Sequence, residues 1–293
     1  KSHLALAVCE RVGGEIISAD SVQVYRGLDI GSAKATPAER ARVPHHAVDL
    51  LAPTEQSHAG RWLAEAEAAI DAVRGRGRVP VVCGGTGLYL RALLEGLAAI
   101  PEVTPEVRAA VAEELAARGV EALHAELAAI DPAAAARLAA RDAQRISRAL
   151  AVYRETGRPI SAWQEAHGFA NRRPDARVVV LAPEPRELLL QRIDARAEWM
   201  LAHGLVDEVR GLLAAGVPPD APGLLTLGYR EVVDELLGRG GAGPLTERVA
   251  RGHRRYAKRQ LTWFRRLLQR DGAAQRLDPR DADVLDRLVA LVA

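Results

Sequence analysis

Two short apolar runs, each ending abruptly in a polar or glycine-rich turn, constrain this chain more than any other feature. Glu15-Ile16-Ile17-Ser18-Ala19 has strand length and ends in Asp20-Ser21. Val79-Pro80-Val81-Val82-Cys83 ends in Gly84-Gly85-Thr86-Gly87, and a helical pattern over 88–97 follows at once. Helical spacing also fills 2–12, closed by Gly13-Gly14, and 59–74. A third apolar run, 177–181, precedes a helix that starts after Pro185 and carries Arg192 and Arg196. Strands alternating with helices predict an α/β core on a mostly parallel sheet. Parallel strands run the same way, so their polar ends open on one edge, the edge where such sheets hold ligands.

Between residues 101 and 172 the texture changes. Thr104-Pro105 and Asp131-Pro132 each place a capping residue before a proline at the first helical position. The segment is rich in Ala, Arg and Glu and predicts four or five helices without a strand. We read it as an all-helical insertion into a core made of 1–100 and 173–293. The segment 22–48 reads as loop with one helix start, the capping box Thr36-Pro37-Ala38-Glu39. The C-terminal third is helical again, with breaks near 216–223 and 238–244. The chain shows no internal repeat.

With 48% hydrophobic and 27% charged residues over 293 positions, a packed core is expected. A net charge of +2 is too small to make the whole surface a polyanion binder, which leaves room for a local basic patch. Two cysteines, Cys9 and Cys83, exclude a disulfide scaffold, fit a reducing compartment and read as small buried hydrophobes. No run of 18 apolar residues suggests a membrane span. The chain starts at Lys1 with no visible signal peptide, and a cytoplasmic placement is expected.

Five groups of residues could carry chemistry. Lys1-Ser2, followed by a helix and then a strand ending in Asp20, has the form of the tail of a G-x-x-x-x-G-K-[ST] phosphate loop. There Lys adds a point charge, the hydroxyl serves Mg2+, and the motif by itself reads as nucleotide- and ATP-binding. The glycines of such a loop would lie ahead of residue 1, so the cradle is inferred. Asp20 could hold a metal, act as a base, or simply cap a turn. Thr86 offers a hydroxyl in a turn whose glycines permit close approach. Arg192 and Arg196, four apart, share a helix face and could clamp a diphosphate. His45, His46 and Asp49 do not have the spacing of a zinc site. Residues 246–270 hold eight Arg and one Lys against a single acid, Glu247, interleaved with Tyr256, Trp263 and Phe264. That is an electrostatic footprint for a phosphate backbone.

Several blocks then carry a resemblance. The run from Ile17 through Ala19-Asp20-Ser21-Val22-Gln23-Val24-Tyr25 to Asp29-Ile30-Gly31-Ser32-Ala33-Lys34 resembles the ADS-x-Q-V-Y-x-G-x-D-I-G-x-A-K signature of the tRNA dimethylallyltransferases. So do Pro44-His45-His46-Ala47-Val48-Asp49, Gly84-Gly85-Thr86-Gly87-Leu88-Tyr89, Asp142-Ala143-Gln144-Arg145-Ile146-Ser147-Arg148, Leu227-Gly228-Tyr229-Arg230-Glu231 and Tyr256-Ala257-Lys258-Arg259-Gln260-Leu261-Thr262-Trp263. The blocks stand in family order over about residues 1–268, and no C-terminal zinc finger of the eukaryotic kind follows, which suits the bacterial type.

The resemblance implies a P-loop core related to nucleotide kinases, with the helical insertion gripping the anticodon stem-loop. It implies transfer of a dimethylallyl group from dimethylallyl diphosphate, not from ATP, to N6 of adenosine 37 in tRNA. By the same resemblance Asp20 is the general base, Thr86 lines the channel where base and donor meet, and Arg196 sits on the leaving diphosphate. Lys1 and Ser2 hold the diphosphate, with Ser2 on Mg2+. The tRNA contacts it implies are Asp20, Ser21, Val22, Gln23, Gln144, Arg145, Ile146, Ser147 and Arg148, to which the basic helix adds Arg255, Lys258 and Arg259. A monomer without membrane contact is expected. Two other classes stay open on the residues alone: a P-loop kinase, which leaves the basic helix unexplained, and a non-catalytic RNA-binding protein, which leaves Asp20 beside the glycine turn unexplained.

Overall fold

The computed structural model describes residues 1–168, 173, 175–270 and 274–292. The chain divides into two compact units, Lys1–Leu93 with Pro174–Ala293, and Leu94–Arg173. The far limit of the insertion read from sequence, residue 172, lies outside the described residues.

The first unit begins with α1 (Ser2–Val12), which Gly13 ends in the left-handed conformation with its N–H on the Cys9 carbonyl. Next come β1 (Glu15–Ala19), α2 (Pro37–Arg42), β2 (His45–His46), α3 (Ala59–Gly75), β3 (Pro80–Gly84) and α4 (Gly87–Glu95). Thr36 makes the full capping box with Glu39 at the start of α2. The strands form one parallel sheet in the order β2-β1-β3. All five residues of β1 are buried, as expected of a central parallel strand. Trp62, Ala66 and Ile70 of α3 share the buried cluster with Ile17, Ala19, Leu28, Met200, Leu205 and Tyr229.

The second unit holds α5 (Pro105–Ile130), α6 (Pro132–Arg137), α7 (Ala143–Thr156) and α8 (Ile160–His167). Gly119 interrupts α5 with a positive φ, so α5 is two helical stretches merged at a kink. The unit has its own core of Val111, Leu123, Leu127, Ile146, Leu150 and Val152. Buried Asp131 caps α6 through Ala134 N–H at 2.9 Å and takes Ser161 N–H at 2.9 Å. Burial opposes its charge, but these amide donors prevail and hold its pKa below the usual aspartate value.

The chain then returns to the first unit through β4 (Val179–Leu181), α9 (Arg186–Ala202), α10 (Leu205–Ala214), α11 (Tyr229–Leu236), α12 (Leu245–Arg270), β5 (Gln275–Leu277) and α13 (Val284–Ala290). Two expectations need correction here. The run 177–181 is not a third strand of the β1 sheet; β4 pairs in parallel with β5, three residues each, in a sheet of its own. The neighbour of β1 on its other side is the His45–His46 pair, which the sequence presents as loop. Two residues are too short a run to show alternation, and β5 is only one residue longer and mostly polar.

His46 owes its place to a buried charge. Glu15, 2% exposed, accepts from Arg76 Nη2 at 2.6 Å and Arg78 Nη1 at 3.3 Å, and its Oε2 lies 2.6 Å from His46 Nε2. Hydrogen bonding to Arg76 leads the effects holding the Glu15 pKa low, against burial. A carboxylate with a depressed folded pKa stabilises fully above its unfolded value of about 4.3 and loses that contribution as pH falls. Glu15→Gln should therefore destabilise the protein by about 1–3 kcal/mol at pH 7. The gap to the native chain should narrow below about pH 4, as measured by urea unfolding at both pH values.

Candidate active site

The parallel register Ser18↔Cys83 and Ala19↔Gly84 brings the ends of β1 and β3 level. Asp20 and the Gly85-Thr86 turn therefore leave the sheet side by side. Asp20 Oδ1 accepts Val22 N–H at 2.9 Å and Gln23 N–H at 3.4 Å, an Asx turn that fixes the carboxylate. Its Oδ2 has no hydrogen-bond partner among the described residues. Thr86 is tied back to the same strand end: its N–H donates to Ala19 O at 3.1 Å, and its Oγ1 accepts Ser21 N–H at 3.0 Å.

The turn is seated on α12. Gln260 Nε2 donates to Gly85 O at 2.8 Å and Tyr256 Oη reaches the same oxygen at 3.3 Å. Burial raises the Tyr256 phenol pKa, while hydrogen bonding with Thr86 and Gln260 works against the rise. Two glycines are required by this close approach. A Cβ at Gly85 would stand 2.2 Å from Gln260 Nε2, and one at Gly87 would stand 2.8 Å from the Trp263 indole. Tyr256, Gln260 and Trp263, at i, i+4 and i+7, form the one face of α12 that meets the turn.

Three cations complete the edge. Arg196 on α9 keeps solvent access, yet crowding lowers its pKa from the usual arginine value while the nearby Asp20 charge opposes the fall. It remains a cation at neutral pH. Arg192, one turn earlier, lies within electrostatic reach of Lys1 at the start of α1. Lys1 and Ser2 are exposed there, Lys1 in the N-cap position. Behind Asp20, Trp62 Nε1 donates to Ser18 O at 2.8 Å and the indole stacks on Tyr89 with centroids 4.5 Å apart. Tyr89 Oη and Ser57 Oγ are 2.7 Å apart. Among the described residues no group of three or more His, Cys, Asp and Glu stands together as a metal cage. Cys9 is buried, which raises its thiol pKa to about 12 and leaves it chemically quiet at neutral pH.

The loop after Asp20 is braced by residues that the motif contains but whose roles spacing does not reveal. Lys34, its side chain 1% exposed, donates to Asp29 at 2.5 Å, Asp49 at 2.7 Å and the Tyr25 carbonyl at 2.7 Å. Gln23 spends both ends of its amide internally, accepting from Ser18 Oγ at 2.7 Å and donating to Ser32 O at 3.1 Å. Tyr229 Oη accepts Gly31 N–H at 3.1 Å and donates to Glu208 at 2.5 Å. Glu208 in turn accepts from Asp29 and Ile30 N–H. Long-range partners such as Glu208 leave no mark in local sequence.

The remaining candidates divide by exposure. Arg255, Lys258 and Arg259 are exposed on α12 and have no carboxylate partner among the described residues; Arg259 lies 5.6 Å over the Tyr256 ring. Arg254 differs from these: it is held by Asp194 at 2.5 Å and Glu247 at 2.6 Å, so it straps α12 to α9. In the helical unit Gln144, Arg145 and Arg148 are exposed, Arg145 leaning on Asp142 at 2.9 Å. Ile146 is fully buried in that unit's core, and the Ser147 hydroxyl is buried without a partner among the described residues. Val22 packs against the main core. Ile146 thus offers a ligand only its backbone, whereas the half-buried Val22 keeps part of its side chain exposed.

The arrangement can place one oriented carboxylate oxygen, one hydroxyl and a cation at a common sheet edge. Comparison with known proteins decides the family. The family model for IPP transferase matches residues 23–267. The chain belongs to the IPP transferase family. A tRNA dimethylallyltransferase of Sorangium cellulosum is 50% identical over 265 residues, covering 90% of this chain and 84% of that one. The full-length tRNA isopentenylpyrophosphate transferase of Bacillus halodurans superposes with a TM-score of 0.68 at 33% identity, covering 99% of this chain and 89% of that structure. A eukaryotic dimethylallyltransferase captured acting on tRNA gives 0.80 at 26% identity, covering 99% and 75%. The parallel sheet with a glycine turn between strand and helix agrees with the P-loop-like core of this family.

The seat of Gly87 against the indole makes a stability prediction. Gly87→Ala should displace Trp263 and cost about 1–3 kcal/mol, read as a lowered calorimetric midpoint. An unchanged midpoint would show that the turn and α12 are not packed in this way.

Proposed function

We propose that this chain transfers a dimethylallyl group from dimethylallyl diphosphate to N6 of adenosine 37 in tRNA, as a cytoplasmic monomer. The observation that supports it best is the free Oδ2 of Asp20, oriented at the end of β1 beside Thr86 with Arg196 in reach. The exocyclic amine of adenine is a weak nucleophile because its lone pair is conjugated with the ring. It must lose a proton as its new bond to carbon forms, and a positioned carboxylate accepts that proton. The attacked carbon is allylic, so charge spreads over the isoprenoid while negative charge collects on the departing diphosphate. Arg196 and Lys1 face that charge with cations.

The exposed Ser2 hydroxyl would hold Mg2+, an ion that keeps most of its waters and needs only one or two protein oxygens beside substrate phosphates. Bound there, it would offset charge on the diphosphate. Thr86 holds the entering base against the donor. The target base must leave its loop stack to reach Asp20. The exposed cations Arg255, Lys258 and Arg259 take the RNA backbone, and Gln144, Arg145 and Arg148 of the helical unit take the anticodon stem-loop. Such contacts set register more than they read sequence. The backbone of Ser21, Val22 and Gln23 lines the approach to Asp20.

Incubation with labelled dimethylallyl diphosphate, unmodified tRNA and Mg2+ should place label on the RNA. Label absent from RNA, with phosphate transferred from ATP instead, would favour a kinase. In the same assay Asp20→Ala should keep tRNA affinity and lose transfer by about 10²–10⁴-fold; a rate within about threefold of the native chain would remove Asp20 from the chemistry.

Charge removal on α12 separates binding from chemistry. Arg255→Ala with Arg259→Ala should weaken tRNA binding and reduce the slope of log K against log salt by roughly 0.7–0.9 for each phosphate that is no longer neutralised. Affinity for the small donor should be unchanged in filter-binding and calorimetric measurements. An unaltered slope and affinity would place the RNA elsewhere.

A further inference from the structure

Resting on the reading above, we infer that Gln260 is a positioning residue for the transfer. Through the Gly85 carbonyl it sets Thr86, so that the helix carrying the RNA-facing cations also sets the reacting turn. The peptide joining Gly85 to Thr86 is one rigid plane, and it is pinned at both edges. Its carbonyl oxygen takes the Gln260 amide at 2.8 Å and the Tyr256 hydroxyl at 3.3 Å. Its N–H gives to Ala19 O at 3.1 Å at the end of β1. That plane places the Thr86 Cα, and the bond from Ser21 N–H to Thr86 Oγ1 then fixes the hydroxyl beside Asp20.

The donor on α12 stands in the middle of the cationic stretch. Arg259 is the residue before Gln260, and its guanidinium lies over the ring of Tyr256, the second group on the same carbonyl. Lys258 is one residue further back, and Arg255 precedes Tyr256. A phosphate held by these cations therefore bears on the side chains that hold the turn. Gly85 is part of the device: a methyl there would meet the Gln260 amide at 2.2 Å, so only glycine admits the bond. The obstacle would be the end of a flexible side chain, so Gly85→Ala can fold while displacing Gln260.

This predicts a loss in rate and not in RNA affinity, since small misplacement of a reacting group slows a reaction severely. Gln260→Met keeps the side-chain length and removes the donor. It should lower kcat at least tenfold with the tRNA Kd within twofold of the native chain. In a Thr86→Ala background the same change should lower kcat by less than twofold, because the group being positioned is gone. Gly85→Ala should match Gln260→Met, add nothing to it, and carry the same cycle if Gln260→Met fails to fold. Three results would overturn the inference: a native kcat in both variants, a loss wholly accounted for by weaker tRNA binding, or a full tenfold loss persisting without the Thr86 hydroxyl. A native chain that puts no label on tRNA would overturn the proposed function instead, and the two failures are distinct.

Discussion

The parallel ladder between β1 and β3 is the interaction on which the reacting edge depends. Five residue pairs run in register from Glu15↔Pro80 to Ala19↔Gly84. A slip of one residue would turn every side chain of β1 to the other face and part Asp20 from Thr86. The ladder is anchored at its far end by Glu15 among Arg76, Arg78 and His46, and at its near end by Gly85 and Thr86 N–H on Ala19 O. A charged clamp at one end and a glycine turn at the other thus hold one strand pair in a single register.

The parts of this design that were legible in sequence are those with local causes. The limits of α1 and the start of α2 follow from Gly13 and the Thr36 capping box. The short apolar runs of β1 and β3, with Asp20 and the glycine turn at their ends, follow from strand length and breaker residues. What was not legible depends on distant partners. The His45–His46 strand exists because β1 offers a free edge and Glu15 offers a charge. The β4–β5 pair joins segments almost a hundred residues apart. Gln260 looks like one more polar residue in a basic helix until the Gly85 carbonyl is found beneath it. The cationic count of α12 was visible, but which cations are spoken for was not: Arg254 is strapped to Asp194 and Glu247, while Arg255 and Arg259 are not.

Charge is used in two opposite ways. The buried Lys34, with Asp29 and Asp49, and the half-buried Arg154, with Glu114 and Glu126, are matched by opposite partners and hold loops or helices in place. At the sheet edge and on the exposed face of α12 the cations Arg192, Arg196, Arg255, Lys258 and Arg259 have no such carboxylate at salt-bridge distance among the described residues. Unmatched cations and an oriented carboxylate suit the proposed transfer, in which phosphate groups and a proton would be received in the same step.

The most direct test of this account is the structure of the chain bound to an unmodified anticodon stem-loop. It predicts the extruded adenine with its exocyclic nitrogen within about 2.6–3.2 Å of Asp20 Oδ2, while Oδ1 keeps the Val22 and Gln23 amides. An adenine amine placed away from Asp20, or one met first by a different carboxylate, would contradict it.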